Sequence, residues 1–179
     1  MTGSCDSLVR EHETIERVLD MLEARVRAVA EGAPIDTDYF TAAIGFVRHF
    51  ADGLHHQKEE QVLFPALCAA GMSREAGPVA VMLYEHDLGR GHIRAMEAAL
   101  TPAAGGDMAA RRQLIREALA YVALLRAHIQ KENMILFPLA ERALDPASQE
   151  RLLQQFAALE ERERDRSQSQ RDWVDSLTT

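Results

Sequence analysis

Two histidine–glutamate pairs at helical spacing stand out in this chain: His55 with Glu59, and His128 with Glu132. Each pair opens a segment that occurs twice, His55 to Pro65 and His128 to Pro138, with seven of eleven positions identical. Residues four apart share one face of an α-helix, so each copy aims an imidazole and a carboxylate at the same point. Two such helices facing each other supply two nitrogen and two oxygen donors. His12 and His86, each preceded by a glutamate (Glu11 and Glu85), lie on two further long stretches and complete a six-donor set. Imidazole and carboxylate donors without thiolates suit iron or manganese, with the carboxylates bridging two ions. They speak against structural zinc or an iron–sulfur cluster.

Four long helices are needed to carry these donors, and the apolar periodicity supplies them. The first is predicted from about Asp6 to Glu31, ended by Gly32-Ala33-Pro34. The second follows a cap at Asp36 or Thr37 and ends at Gly71. The third runs from about Glu75 to Leu100, with Thr101 to Gly106 as a loop, and the fourth from about Asp107 to Leu144. Pro65 and Pro138 are expected to kink or end their helices, because proline removes an intrahelical bond. A shorter fifth helix is predicted after Asp145-Pro146, with Leu152, Leu153, Phe156 and Leu159 on one side. The polar run Glu160 to Gln170 is expected to fray, and Trp173 to dock on the bundle at a place the pattern does not specify.

Short connections between long helices make antiparallel neighbours. The fold expected is therefore all-α, an up-down-up-down four-helix bundle with a short additional C-terminal helix. Its division is residues 1–145 for the bundle and 146–179 for the C-terminal helix and polar tail. Counting from the turns puts His12 level with His55, and Glu59 level with His86. His86 and His128 match less well, which would require the fourth helix to overhang the third.

At 179 residues the chain is long enough to bury one substantial core. A formal net charge of −8 argues against a nucleic-acid partner. No apolar run approaches the roughly 20 residues that span a bilayer, so no membrane role is expected. Two cysteines make no disulfide framework, and a cytoplasmic setting is the expectation.

The combined motifs resemble the hemerythrin-like proteins of the HHE cation-binding type. They are Glu11-His12, His55-His56-x-Lys58-Glu59-Glu60-x-x-Leu-Phe-Pro, Glu85-His86-x-x-Gly89-Arg90 and His128-Ile129-x-Lys131-Glu132-Asn133-x-x-Leu-Phe-Pro. The resemblance implies two non-haem iron ions (Fe2+/Fe3+), bridged by Glu59 and Glu132 and by an oxo or hydroxo group, with manganese or zinc as substitutes. It implies a small ligand such as O2, H2O2 or NO; no protein partner is indicated.

Two departures bear on the chemistry. Reversible oxygen carriers have a His-x-x-x-His pair on the third helix and an aspartate five residues after the fourth-helix histidine. Arg90 and Asn133 stand at those places here. One iron should then be poorer in nitrogen and more open to outside ligands, which favours redox chemistry over carriage.

His56 lies about 100° round the helix from His55 and has two roles open to it, a seventh metal donor or a histidine beside the site. Glu60 is expected to be a partner of the ligands or a solvated charge. Glu85 and Arg90 could equally hydrogen-bond the ligands or form surface ion pairs. Tyr121, two turns before His128, could approach the metals but is expected in the core, and His49 and His92 at the surface or an interface. No catalytic acid or base is assigned. A catalase-like activity would need only the irons and an open site. The alternatives are a regulatory module that responds to iron or oxygen without turnover, and iron storage or donation.

Overall fold

The apolar period of each stretch becomes a helix in the computed structural model, which describes residues 3–177. Helix α1 spans Asp6–Ala30 and buries Leu8, Ile15, Leu19, Leu22, Val26 and Val29 along one stripe. Helix α2 covers 37–69 and is capped by the Asp36 carboxylate, which accepts from the Tyr39 N–H at 3.0 Å. It is α-helical at Thr37–Phe46, widens into π-type turns at Val47–His56 and Glu59–Leu63, and closes as α-helix at Phe64–Ala69. Helix α3 is Gly77–Ala104. Helix α4 covers 108–143, with a π turn at Glu132–Leu136 between Met108–Lys131 and Phe137–Ala143. Helices α5, Pro146–Arg162, and α6, Arg164–Ser176, follow.

The two repeat prolines do not end their helices. Each sits just after a π turn, in the first turn of renewed α-helix. There the wider i→i+5 pattern absorbs the lost N–H and the ring clash. Gly53 permits the earlier π turn, since a Cβ at that residue would come within 2.9 Å of the Arg48 carbonyl.

Other expectations are corrected as well. Residues Thr101 to Ala104 are helical, not loop, although Pro102 is among them. Ala99, Leu100 and Ala103 are buried there, and the Gly105 and Asp107 N–H groups donate to the last carbonyls. The added turn removes most of the expected overhang: His86 lies 18 residues before Ala104, and His128 lies 20 after Met108. The polar run Glu160 to Gln170 is helical rather than frayed. Val174 and Trp173 anchor α6 against the bundle, with the Trp173 ring 6.0 Å from Phe46 and 6.1 Å from Tyr39. On α5, Leu152, Phe156 and Leu159 are buried, whereas Leu153 points outward at 44% exposure.

The apolar interior is divided in two. One cluster holds Ile15, Leu54, Ile93 and Ile129; the other holds Leu8, Val62, Met82 and Leu136. On every bundle helix the candidate donors fall between a residue of one cluster and a residue of the other. The polar layer is thus enclosed from both ends. Phe156 ties α5 to the second cluster at 2% exposure. Phe156→Ala should lower unfolding free energy by about 3–5 kcal/mol in urea titration, as for a fully buried aromatic.

Candidate metal centre

The side chains of His12, His55, His56, Glu59, His86, His128 and Glu132 meet in that layer, and all seven are buried. The π turns explain how neighbouring His55 and His56 both reach it, because wider turns rotate less per residue. Two groups form, each with donor atoms within 4.8 Å of one another: His12, His55, Glu59 and Glu132, and His56, Glu59, His86 and His128. The Glu59 carboxylate lies between them, 3.7 Å from His55 Nε2 through one oxygen and 3.4 Å from His86 Nε2 through the other. Glu132 does likewise, 3.1 Å from His12 Nε2 and 3.2 Å from His128 Nε2. None of these four oxygens has a hydrogen bond of acceptable geometry, and neither does His56 Nε2.

The outer nitrogens explain the orphaned inner ones. His12 Nδ1 donates to Asn133 Oδ1 at 2.9 Å, His55 Nδ1 to Glu11 at 3.0 Å, and His56 Nδ1 to Asp52 at 3.3 Å. His86 Nδ1 donates to Glu60 at 2.7 Å and His128 Nδ1 to Glu85 at 2.9 Å. With every Nδ1 hydrogen directed outward to oxygen, each Nε2 turns a lone pair inward, the arrangement that orients metal-binding imidazoles. His12 and His55 approach at 3.0 Å through their Nε2 atoms, and His86 and His128 at 3.2 Å. Lone pairs so close need a proton or a metal cation between them.

The electrostatics follow. Burial pushes the His12, His86 and His128 imidazoles down, but Glu59, Glu60 and Glu132 outweigh it; all three end raised, His86 to about 9. His56 goes the other way, held well below the usual value by burial and by the neighbouring His86. Glu132 stays far below the ordinary carboxylate range despite its burial, because His128 and His12 face it. The cavity strongly favours positive charge.

Outer carboxylates are themselves neutralised. Lys58, fully buried, donates to Glu11 at 2.5 Å and also to Glu160 of α5; Lys131 donates to Glu85. Arg90 spans Asp52 and Glu60, at 2.7 Å from each. Lys58 and Lys131 were not singled out in the sequence, although both stand three residues after a donor histidine, within reach of the same face. Asp52 had no sequence signal. His49 is exposed and His92 pairs with Glu117, away from the layer. Cys5 is buried, its thiol pushed up to about 12 chiefly by burial, and is chemically quiet.

The pattern matches a known family over most of the chain: residues 5–140 fit the hemerythrin HHE cation-binding domain. The chain belongs to that family. An uncharacterized protein of Mycobacterium tuberculosis is 29% identical over 133 residues, 74% of this chain and 51% of the relative. An iron-sulfur cluster repair protein, YtfE of Musicola paradisiaca, is 38% identical over 92 residues, 49% of this chain and 40% of the relative. The chain thus spans about half the length, or less, of these curated relatives. No solved structure matches it. Among the described residues no helix is long and apolar enough to cross a membrane.

The candidate centre of this hemerythrin-family chain is unequal in its halves, with two imidazoles on one side and three on the other. The nitrogen-poor half was expected to be the more open. Phe137 stacks on His12 at 5.5 Å there, and α5 covers Lys58. The cavity that reaches the site instead borders His56, His86 and His128. Lys58→Met should destabilise the metal-free protein by about 3–5 kcal/mol in chemical denaturation, because it strands buried Glu11. Lys131→Met, at the half-exposed equivalent, should cost about 1 kcal/mol or less.

Proposed function

We propose that this protein holds two non-haem iron ions and reacts with a small oxidant or ligand such as H2O2, O2 or NO. One observation carries the proposal: two buried carboxylates each present one oxygen to each of two histidine groups. His12 and His55 would hold one ion, His56, His86 and His128 the other, and Glu59 and Glu132 would bridge them. The mixed nitrogen and oxygen donors without thiolate fit iron, and the relative named for iron–sulfur cluster repair supports that metal. Bound iron would supply one-electron redox chemistry and an electrophilic centre for the ligand.

The chain's own residues prepare that chemistry. Outward hydrogen bonds keep the Nε2 lone pairs available, and the two apolar clusters exclude bulk water. Asn133, at the carrier's aspartate position, is a neutral amide that accepts from His12, which favours redox reaction over reversible carriage. The two free cysteines accord with a reducing, cytoplasmic setting.

Metal analysis of freshly purified protein, with an absorption spectrum, is expected to give about two irons per chain and near-ultraviolet oxo-to-iron bands. His55→Ala and Glu132→Ala should each abolish iron binding, and His56→Ala should lower it towards one. Full iron retention by either of the first two would sink the assignment. Zinc or manganese in a given preparation should be exchangeable for ferrous iron.

A regulatory reading is favoured by one contact chain, His55 to Glu11 to Lys58 to Glu160, which links the site to α5. Metal occupancy could then set how firmly α5 and α6 dock. Limited proteolysis with and without iron, beside a peroxide-consumption assay, separates the two. Turnover with an unchanged cleavage pattern supports the redox role, and metal-dependent cleavage near α5 without turnover supports the sensor.

A further inference from the structure

Between α2, α3 and α4 lies a cavity of about 200 Å³ that the metal donors do not account for. His56, His86 and His128 form one end of it, and Arg48, Arg90 and Arg94 line it nearer solvent. Tyr121 is in its wall. That residue is 2% exposed, and its hydroxyl is buried with no hydrogen-bond partner. A buried hydroxyl without a partner is unfavourable, so such a group usually meets a ligand or ordered water.

Most of the charges around the cavity are paired, and Arg90 is shared by Asp52, Glu60 and Asp87. Asp52 and Glu85 also line it, but Asp52 is tied to Arg90 and His56, and Glu85 to Lys131 and His128. Arg48 is held by Glu97 at 2.5 Å, whereas Arg94 has no ion pair among the described residues. Arg94, exposed at the outer side, is thus the lining guanidinium without an acid, and a metal cation held by the imidazoles at the inner end would add positive charge there; both favour an anion. Burial keeps the Tyr121 phenol protonated, so it has a hydrogen to donate to such a ligand at neutral pH. Gly89 keeps the space free: a Cβ there would stand 3.5 Å from the Tyr121 ring.

We propose that the Tyr121 hydroxyl is the specificity-determining hydrogen-bond donor to a small ligand that enters this cavity beside the three-histidine half of the centre, favouring anions of the hydroperoxide, superoxide or nitrite type. This deepens the di-iron reading and rests on it for the positive charge behind the imidazoles. Tyr121 would thereby set specificity, preferring charged acceptors over nitric oxide, a poor one.

The test uses azide as probe on the iron-loaded full chain, with iron content measured first and azide affinity by calorimetry. Tyr121→Phe is expected to keep its iron and its nitric oxide affinity while binding azide roughly 10- to 100-fold more weakly, the value of one hydrogen bond to a charged acceptor. Gly89→Leu should fill the cavity and abolish azide binding with iron retained. Equal azide affinity in wild type and Tyr121→Phe, both iron-loaded, overturns the cavity assignment and leaves the di-iron centre standing. A wild-type chain that takes up no iron overturns the metal assignment, and this one with it.

Discussion

Two carboxylates buried in the middle of an apolar bundle are the constraint to which the surrounding structure answers. An ionised carboxylate taken out of water is costly unless it is paired or coordinates a metal. Glu59 and Glu132 have no hydrogen bonds, and the groups nearest them are imidazole nitrogens whose other edge is already committed. Protonated imidazoles can offset the charge without metal, which is why His12, His86 and His128 are raised together. The same inward field attracts cations. What would be an electrostatic fault in a purely structural bundle is the working feature of a metal site.

The polar layer is built twice. Glu11 bonds His55 and Lys58, and Glu85 bonds His128 and Lys131, in equivalent hairpins α1–α2 and α3–α4. Glu60 steadies His86 across the hairpins, and Asn133, the equivalent residue, steadies His12. Function enters where the copies differ. His56 faces Ile129 in the repeat and adds a third imidazole to one side. Asn133 replaces an acid by a neutral amide, so the His12 side carries less negative charge around it. Arg90 binds both Asp52 and Glu60; His56 and then Arg90 hold the Asp52 carboxyl low against its burial, and His86 and then Arg90 do the same for Glu60.

Much of this was legible in the residue order, because helical spacing converts directly into shared faces. The convergence of the six candidate donors, the four bundle helices and a cap at Asp36 or Thr37 all follow from period and turn chemistry. His56 was undecidable there, since the ordinary 100° per residue turns it away from His55, whereas the stretch is π-helical and each of the two histidines joins a different donor group. Nothing in a hydrophobic pattern announces a π turn, although Gly53 and the repeat prolines mark the places. The polar tail misled for a different reason. Its composition is that of a solvated segment, yet Val174 and Trp173 bury enough apolar surface to hold α6 against α1 and α2. Tertiary packing outweighed local polarity. Lys58 was hidden likewise, as a lysine is usually exposed and here is fully buried under α5.

Access to the centre is decided by what covers each copy. Helix α5 lies over the first hairpin, so Val62 is 7% exposed while its repeat partner Ile135 is 51% exposed. The Phe156 ring stands 5.5 Å from the Lys58 ammonium, sealing the same side with an apolar face that also favours the charge. The nitrogen-poor half, where coordination arithmetic alone would place an incoming ligand, is therefore the closed one. On the opposite side Gly89 withholds a side chain, and space opens beside His56, His86 and His128. Helix packing, and not donor count, sets the direction from which a small molecule can approach.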